Sequence, residues 1–183
     1  KELSKASFEV LQITKSKRTR KAPLPFTTST LQQEASKVLN FSTQKTMKLA
    51  QQLYEGIDIK SKGTMALITY LRTDSTRVSD EADKAAREFI KSNYSEKYVA
   101  QAQAKPSTGT KIQDAHEAIR PVDISLTPVF VKDLISRDLF RLYQLIWKRF
   151  CASRMSDAVY STLSVKIKAG EYAFGLAGSN LLF

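Results

Sequence analysis

The fold is decided by a change of period between Leu139-Phe140-Arg141-Leu142-Tyr143-Gln144-Leu145-Ile146-Trp147-Lys148-Arg149-Phe150 and Asp157-Ala158-Val159-Tyr160-Ser161-Thr162-Leu163-Ser164-Val165-Lys166-Ile167. In the first segment Leu139, Leu142, Tyr143, Ile146, Trp147 and Phe150 recur at helical spacing behind a capping Ser136. That stripe is a core face, not a ligand box. In the second, Val159, Ser161, Leu163, Val165 and Ile167 share one face at a period of two. Ala169-Gly170-Glu171 is a turn, and Tyr172, Phe174 and Leu176 begin a returning strand. At the other end Ser7 to Thr14 alternates through Phe8, Val10, Leu11 and Ile13 and reads as a strand.

Helix signals fill the space between. Ser29-Thr30-Leu31-Gln32 has capping-box spacing and starts a helix that runs to Leu39. Asn40-Phe41-Ser42 breaks it, and a second helix ends at Gly56 with Met47, Ala50, Leu53, Tyr54 and Ile57 on its stripe. Such a pair is a helix-turn-helix candidate, a weak signal taken alone. Ser79, with Asp80 and Glu81 in the first turn, starts a third helix, and Thr127-Pro128 opens another. Gly63 to Thr73 reads as extended, and Tyr94 to Lys111, with Pro106 and Gly109, as a mobile loop. Strands at both ends and helices between predict an α+β chain, with a mainly helical domain inserted between the strands of a small antiparallel β domain. The boundaries are expected near Pro25 and Met155, giving segments 1–25, 26–155 and 156–183. The final Leu181-Leu182-Phe183 lies in mid-strand by pattern, as in a piece of a longer protein.

The chain has 183 residues, 42% of them hydrophobic, so a wholly disordered tail is excluded. Its 29 Lys and Arg against 18 Asp and Glu give a net charge of +11, which favours a polyanionic partner, nucleic acid first and an acidic membrane surface second. No apolar run is long enough to span a bilayer and the N-terminus has no signal-peptide core. The single Cys151 excludes an internal disulfide and reads as a reduced, buried thiol. Lys15-Ser16-Lys17-Arg18-Thr19-Arg20-Lys21 carries five positive charges in seven residues before Pro23 and Pro25. It reads as an extended, solvated linker that could brush a phosphate backbone.

Two polar clusters could carry chemistry. In Thr69-Tyr70-Leu71-Arg72-Thr73-Asp74-Ser75-Thr76, an extended backbone puts Tyr70 and Arg72 on one face, whereas a helix would set them roughly 200° apart. A phenol with a reference pKa of about 10 must lose its proton to attack a phosphodiester. A neighbouring guanidinium favours the phenolate and binds the oxygens on which charge grows. Asp74 could orient Arg72; the plainer alternative is an ordinary half-buried Tyr with a structural Arg–Asp pair. The second cluster is Asp114-Ala115-His116-Glu117-Ala118-Ile119-Arg120-Pro121. His116 is the sole histidine, so two carboxylates beside it are a weak metal signal. No phosphate-cradling Gly-rich loop and no local signature of a serine nucleophile occur.

Taken in order, these clusters form a pattern with Thr27-Thr28-Ser29-Thr30-Leu31-Gln32-Gln33-Glu34-Ala35, Ala50-Gln51-Gln52-Leu53-Tyr54-Glu55-Gly56 and Leu142-Tyr143-Gln144-Leu145-Ile146-Trp147. The pattern resembles the bacterial type IA DNA topoisomerases over nearly the whole chain. The resemblance implies that Tyr70 is the nucleophile that cleaves one DNA strand and holds its 5′ phosphate, with Arg72 beside the scissile phosphate and His116 contacting DNA near it. It implies that Thr69, Thr73 and Asp74 form the polar surround, that Gln51 and Glu55 lie on the helix beneath, and that Arg120 supports the site. It also implies a winged-helix-like tyrosine domain, a β-rich hinge, and relaxation of negative supercoils without ATP. Mg2+ would be held by acidic residues of a domain outside this chain, with no metal site within it, so the isolated chain is expected to be inactive. The expected partners are single-stranded or underwound DNA and the remaining domains of the same polypeptide, in a cytoplasmic, nucleoid-associated monomer. A different class stays open: a module that binds single-stranded DNA by charge and stacking without cleaving it.

Overall fold

A computed structural model of the chain describes residues 3–59, 63–100 and 116–183. It has two units, one of Lys1–Lys21 with Asp157–Phe183 and the other of Ala22–Ser156. Most of the loop expected between Tyr94 and Lys111, and Asp114 with it, lies outside the described residues.

In the smaller unit β1 (Phe8–Arg20) pairs antiparallel with β4 (Ala158–Ala169), which pairs antiparallel with β5 (Tyr172–Leu181). The order β1-β4-β5 joins the two ends of the chain, and with the helical unit this makes the α+β class expected. The linker reading of Lys15 to Lys21 is corrected: β1 continues through Arg20. Each residue from Thr14 to Arg20 has a partner on β4, from Ser164 to Ala158. A run of cations reads as a solvated loop when backbone pairing is ignored. Here every residue of β1 is exposed, so the charges stay hydrated while the ladder satisfies the backbone.

The larger unit is built on α1 (Thr28–Leu39), α2 (Thr43–Glu55), α3 (Asp80–Asn93), the short α4 (Pro128–Val131) and α5 (Arg137–Ser153). The first helix starts before the expected Ser29. Thr27 is its N-cap: the Thr27 Oγ1 accepts from Thr30 N, and the Thr30 Oγ1 accepts from Thr27 N. Thr30 thus takes the place assigned to Gln32 in the capping box. Asn40, left-handed at φ 57°, ends α1, and Ser42 caps α2. At Gly56 the chain turns with φ 117°, and a Cβ there would meet Thr64 Cγ2 at 2.7 Å, so only glycine serves. The turn feeds a two-stranded ribbon, β2 (Ile57–Ile59) and β3 (Gly63–Met65). Ile57 therefore lies on a strand, not at the end of the helical stripe.

The α5 stripe is core, as its period predicts: Leu142, Tyr143, Ile146, Trp147, Phe150 and Cys151 are buried. Its polar atoms are satisfied, with Tyr143 Oη donating to Leu126 O at 2.6 Å and Trp147 Nε1 to Ile124 O at 3.0 Å. Burial pushes the Tyr143 phenol far up and the Cys151 thiol up to about 11. Arg149 donates to Leu24 O at 2.8 Å and lies over the Phe26 ring. This binds the Pro-flanked segment to the helical unit, which begins at Ala22.

Candidate active site

From Tyr70 to Asp74 the chain alternates exposed and buried. Tyr70, Arg72 and Asp74 are exposed, and Leu71 and Thr73 are buried. The stretch bends and is no regular strand, but Tyr70 is not on a helix and keeps 48% of its surface in solvent. Two threonines fix the backbone on either side of it. Thr69 Oγ1 donates to Ala118 O at 2.7 Å and accepts from Arg120 N at 3.0 Å, while Thr69 N donates to Arg120 O at 2.9 Å. Thr73 N donates to Thr28 Oγ1 at 2.9 Å, Thr28 N donates to Thr73 O at 2.9 Å, and Thr28 Oγ1 donates to Leu71 O at 2.7 Å. The Thr27-Thr28-Ser29-Thr30 run thus caps α1 and holds the tyrosine segment at once. Beneath, Leu67, Ile68 and Leu71 are buried, and Leu67 N donates to Leu53 O on α2 at 2.8 Å.

A cleft of ≈ 310 Å³ opens at this point, lined by Tyr54, Thr69, Tyr70, Thr73, His116 and Glu117. His116 reaches it because Ile119 N donates to Phe26 O and Ile68 bridges to Pro121, laying residues 116–121 beside the tyrosine segment. Tyr54 meets the Tyr70 ring edge-on, with centroids 5.4 Å apart and planes at 66°. Sequence reading placed Tyr54 only on a core stripe. The missed signal is its spacing of three and one from Gln51 and Glu55, which sets all three on one face of α2.

Gln51 Nε2 donates to Glu55 Oε1 at 2.5 Å on the surface of α2. Arg72 and Asp74 are exposed beside the cleft, and among the described residues neither makes a side-chain hydrogen bond or ion pair; the Arg–Asp pair considered from the sequence is not formed. Arg120 is largely buried, with Nε and Nη2 donating to Glu117 Oε2 at 3.0 and 2.6 Å and Nη1 to Pro121 O at 3.0 Å. The carboxylate in the cleft is therefore already neutralised. A hard cation such as Mg2+ needs several free oxygen ligands. Among the described residues no three His, Cys, Asp or Glu side chains are grouped to hold one, and Glu117 is committed to Arg120. The cleft residues do not fit this metal.

The site thus joins a phenol in a clamped loop with a histidine and an Arg120-bound carboxylate in one cleft, on a basic chain. The family model described as DNA topoisomerase matches residues 1–183, and the chain belongs to that family, in its bacterial type IA branch. It is also similar to the full-length topoisomerase I of Thermotoga maritima, with 42% identity and a TM-score of 0.84 over 96% of this chain. The chain spans 28% of the length of that protein. Among the described residues no helix is long and apolar enough to cross a membrane.

Proposed function

We propose that this chain supplies the nucleophile of a type IA DNA topoisomerase. The observation that carries the reading is the placement of Tyr70: exposed, fixed by Thr69 and Thr73 on both flanks, and in one cleft with His116. The Tyr70 oxygen gives up its proton and attacks the phosphorus of one DNA strand. The bond from phosphorus to the 3′ oxygen breaks, that oxygen leaves as a hydroxyl, and the 5′ phosphate stays on Tyr70. The reverse attack reseals the strand. The energy of the broken bond is kept in the phosphotyrosine, so no nucleotide is consumed. Arg72, with no partner of its own among the described residues, meets the non-bridging oxygens where charge grows. His116 contacts the DNA beside the scissile phosphate, and Asp74 and Gln51 with Glu55 complete the polar surround. Arg120 supports the site by holding Glu117. Relaxation of underwound DNA, and any magnesium it uses, belongs in this reading to the protein with its further domains.

End-labelled single-stranded DNA tests this directly. With an acidic metal-binding domain of the family joined to the chain, a covalent adduct that survives denaturation is expected, and Tyr70→Phe abolishes it. The chain alone is expected to leave supercoiled DNA unrelaxed, because among the described residues the carboxylate of the cleft, Glu117, is held by Arg120 and is not free to protonate the leaving sugar oxygen. Persistence of the adduct in Tyr70→Phe would sink the assignment. No adduct under any addition would favour the binding-only module.

A further inference from the structure

The charge of the protein is unevenly spread. The smaller unit holds nine Lys and Arg against four Asp and Glu, so it carries +5 of the total +11 in about a quarter of the chain. Five of those cations, Lys15, Lys17, Arg18, Arg20 and Lys21, follow one another on or just beyond β1, one of the two outer strands of its sheet. Among the described residues none of the five is in an ion pair. The acidic residues are mostly elsewhere: Glu9 lies opposite Lys168 and Glu171 sits at the β4–β5 turn. Only Asp157, next to Ala158, is near the Arg20 end.

The register sorts the cations by face. Arg18 lies opposite Tyr160 and Arg20 opposite Ala158, on the face where Ser16 Oγ and Thr162 Oγ1 are 2.6 Å apart. Lys15 and Lys17 lie opposite Leu163 and Ser161 on the other face. Alternate residues on a strand are about 6.6 Å apart. That step is comparable with the phosphate repeat of a stretched single strand, and guanidiniums beside an aromatic ring are what such a strand needs for charge and stacking.

We propose that the C-terminal half of β1 is a second nucleic-acid-binding surface, outside the tyrosine cleft, which takes the phosphate backbone of single-stranded DNA. The proposal rests on the reading of the chain as a DNA-acting protein but needs no cleavage chemistry. Lysines on an outer strand also discourage edge-to-edge aggregation, and the test separates the two roles.

The 183-residue chain carrying Tyr70→Phe, so that covalent capture contributes nothing, is titrated against a fluorescent oligo-dT of about 20 nucleotides over a range of salt. One variant replaces Lys15, Lys17, Arg18, Arg20 and Lys21 by Thr, a residue suited to strands. A control replaces the exposed Lys37, Lys48, Lys84, Lys132 and Lys148 by Gln, so both fall from +11 to +6. The β1 variant is expected to lose about 0.7 from the slope of log affinity against log salt for each phosphate contact removed, and at least about tenfold in affinity at low salt. The control should lose clearly less. If the five-fold variant fails to fold by circular dichroism, Lys15→Thr with Lys17→Thr should lower the slope by about 1.4. Equal losses in variant and control, or aggregation of the β1 variant with unchanged affinity, would overturn the proposal. Because the readout is binding with Tyr70 already removed, these outcomes are independent of whether Tyr70 is the nucleophile.

Discussion

The edge of one phenol ring against another sets what can be asked of single residues. Tyr54 and Tyr70 form a T-shaped pair, and such pairs contribute about 0.5–1.5 kcal/mol beyond their burial. Both rings are partly in solvent, so the contact orients Tyr70 more than it stabilises the fold. Tyr54→Ala is expected to lower the rate of adduct formation up to about tenfold while leaving the melting temperature close to that of the parent. Tyr54→Phe keeps the ring edge and should cleave normally. An equal loss in both variants would mean that the Tyr54 hydroxyl acts chemically. Thr69 is a different kind of residue. Thr69→Val removes the donor to Ala118 O and the acceptor of Arg120 N, two backbone groups shielded from water. A loss of about 1–3 kcal/mol in chemical denaturation is expected, with a larger fall in cleavage because the Tyr70 backbone is released.

At the scale of elements, α3 and α5 are joined by a charged clamp. Asp83 Oδ1 accepts from Arg154 Nη1 at 2.7 Å, and its Oδ2 accepts from Arg87 Nε. Arg87 also donates to Ala100 O at 2.6 Å. Burial works to raise the Asp83 pKa, but hydrogen bonds from Arg87 and Arg154 and then their charges outweigh it, and the carboxyl is held below its usual value. A group depressed in the folded state contributes stability above its unfolded pKa and loses it as pH falls through the folded one. The clamp is therefore fully present at neutral pH and fails from about pH 4 downward. Asp83→Asn should cost about 1–2 kcal/mol at pH 7. That deficit should shrink as both proteins are acidified, and a constant gap across pH would count against the clamp.

For the whole molecule, burial differs sharply between the two units. Every residue of β1 and of β5 is exposed, including Phe8, Val10, Ile13 and Leu176. In the larger unit Leu31, Leu53, Leu67, Leu142 and Ile146 are fully enclosed. Stability follows enclosed apolar surface, so local opening should be easier in the sheet. Hydrogen exchange followed by mass spectrometry is expected to label β1 and β5 well before α2 and α5. Equal protection in both would show that the sheet is more stable than its burial implies.

Local signals were enough for most of the elements. The caps at Ser79 and Thr127 and the switch of period after Phe150 are contained in neighbouring side chains, and those set where helices and strands begin. The ordered clusters around Tyr70 and His116 likewise pointed to phosphodiester chemistry. Partnerships were out of reach, because a hydrogen bond between residues 28 and 73, or 69 and 118, leaves no mark at helical or strand period. The early start of α1 follows the Thr27–Thr30 capping pair, with Thr28 held by Thr73. The extension of β1 through its cations follows from the ladder that β4 provides across an intervening unit. The commitment of Arg120 to Glu117, and of Tyr54 to Tyr70, likewise needed the folded chain. Periodicity records which face of an element is apolar; only packing decides which polar groups that face meets.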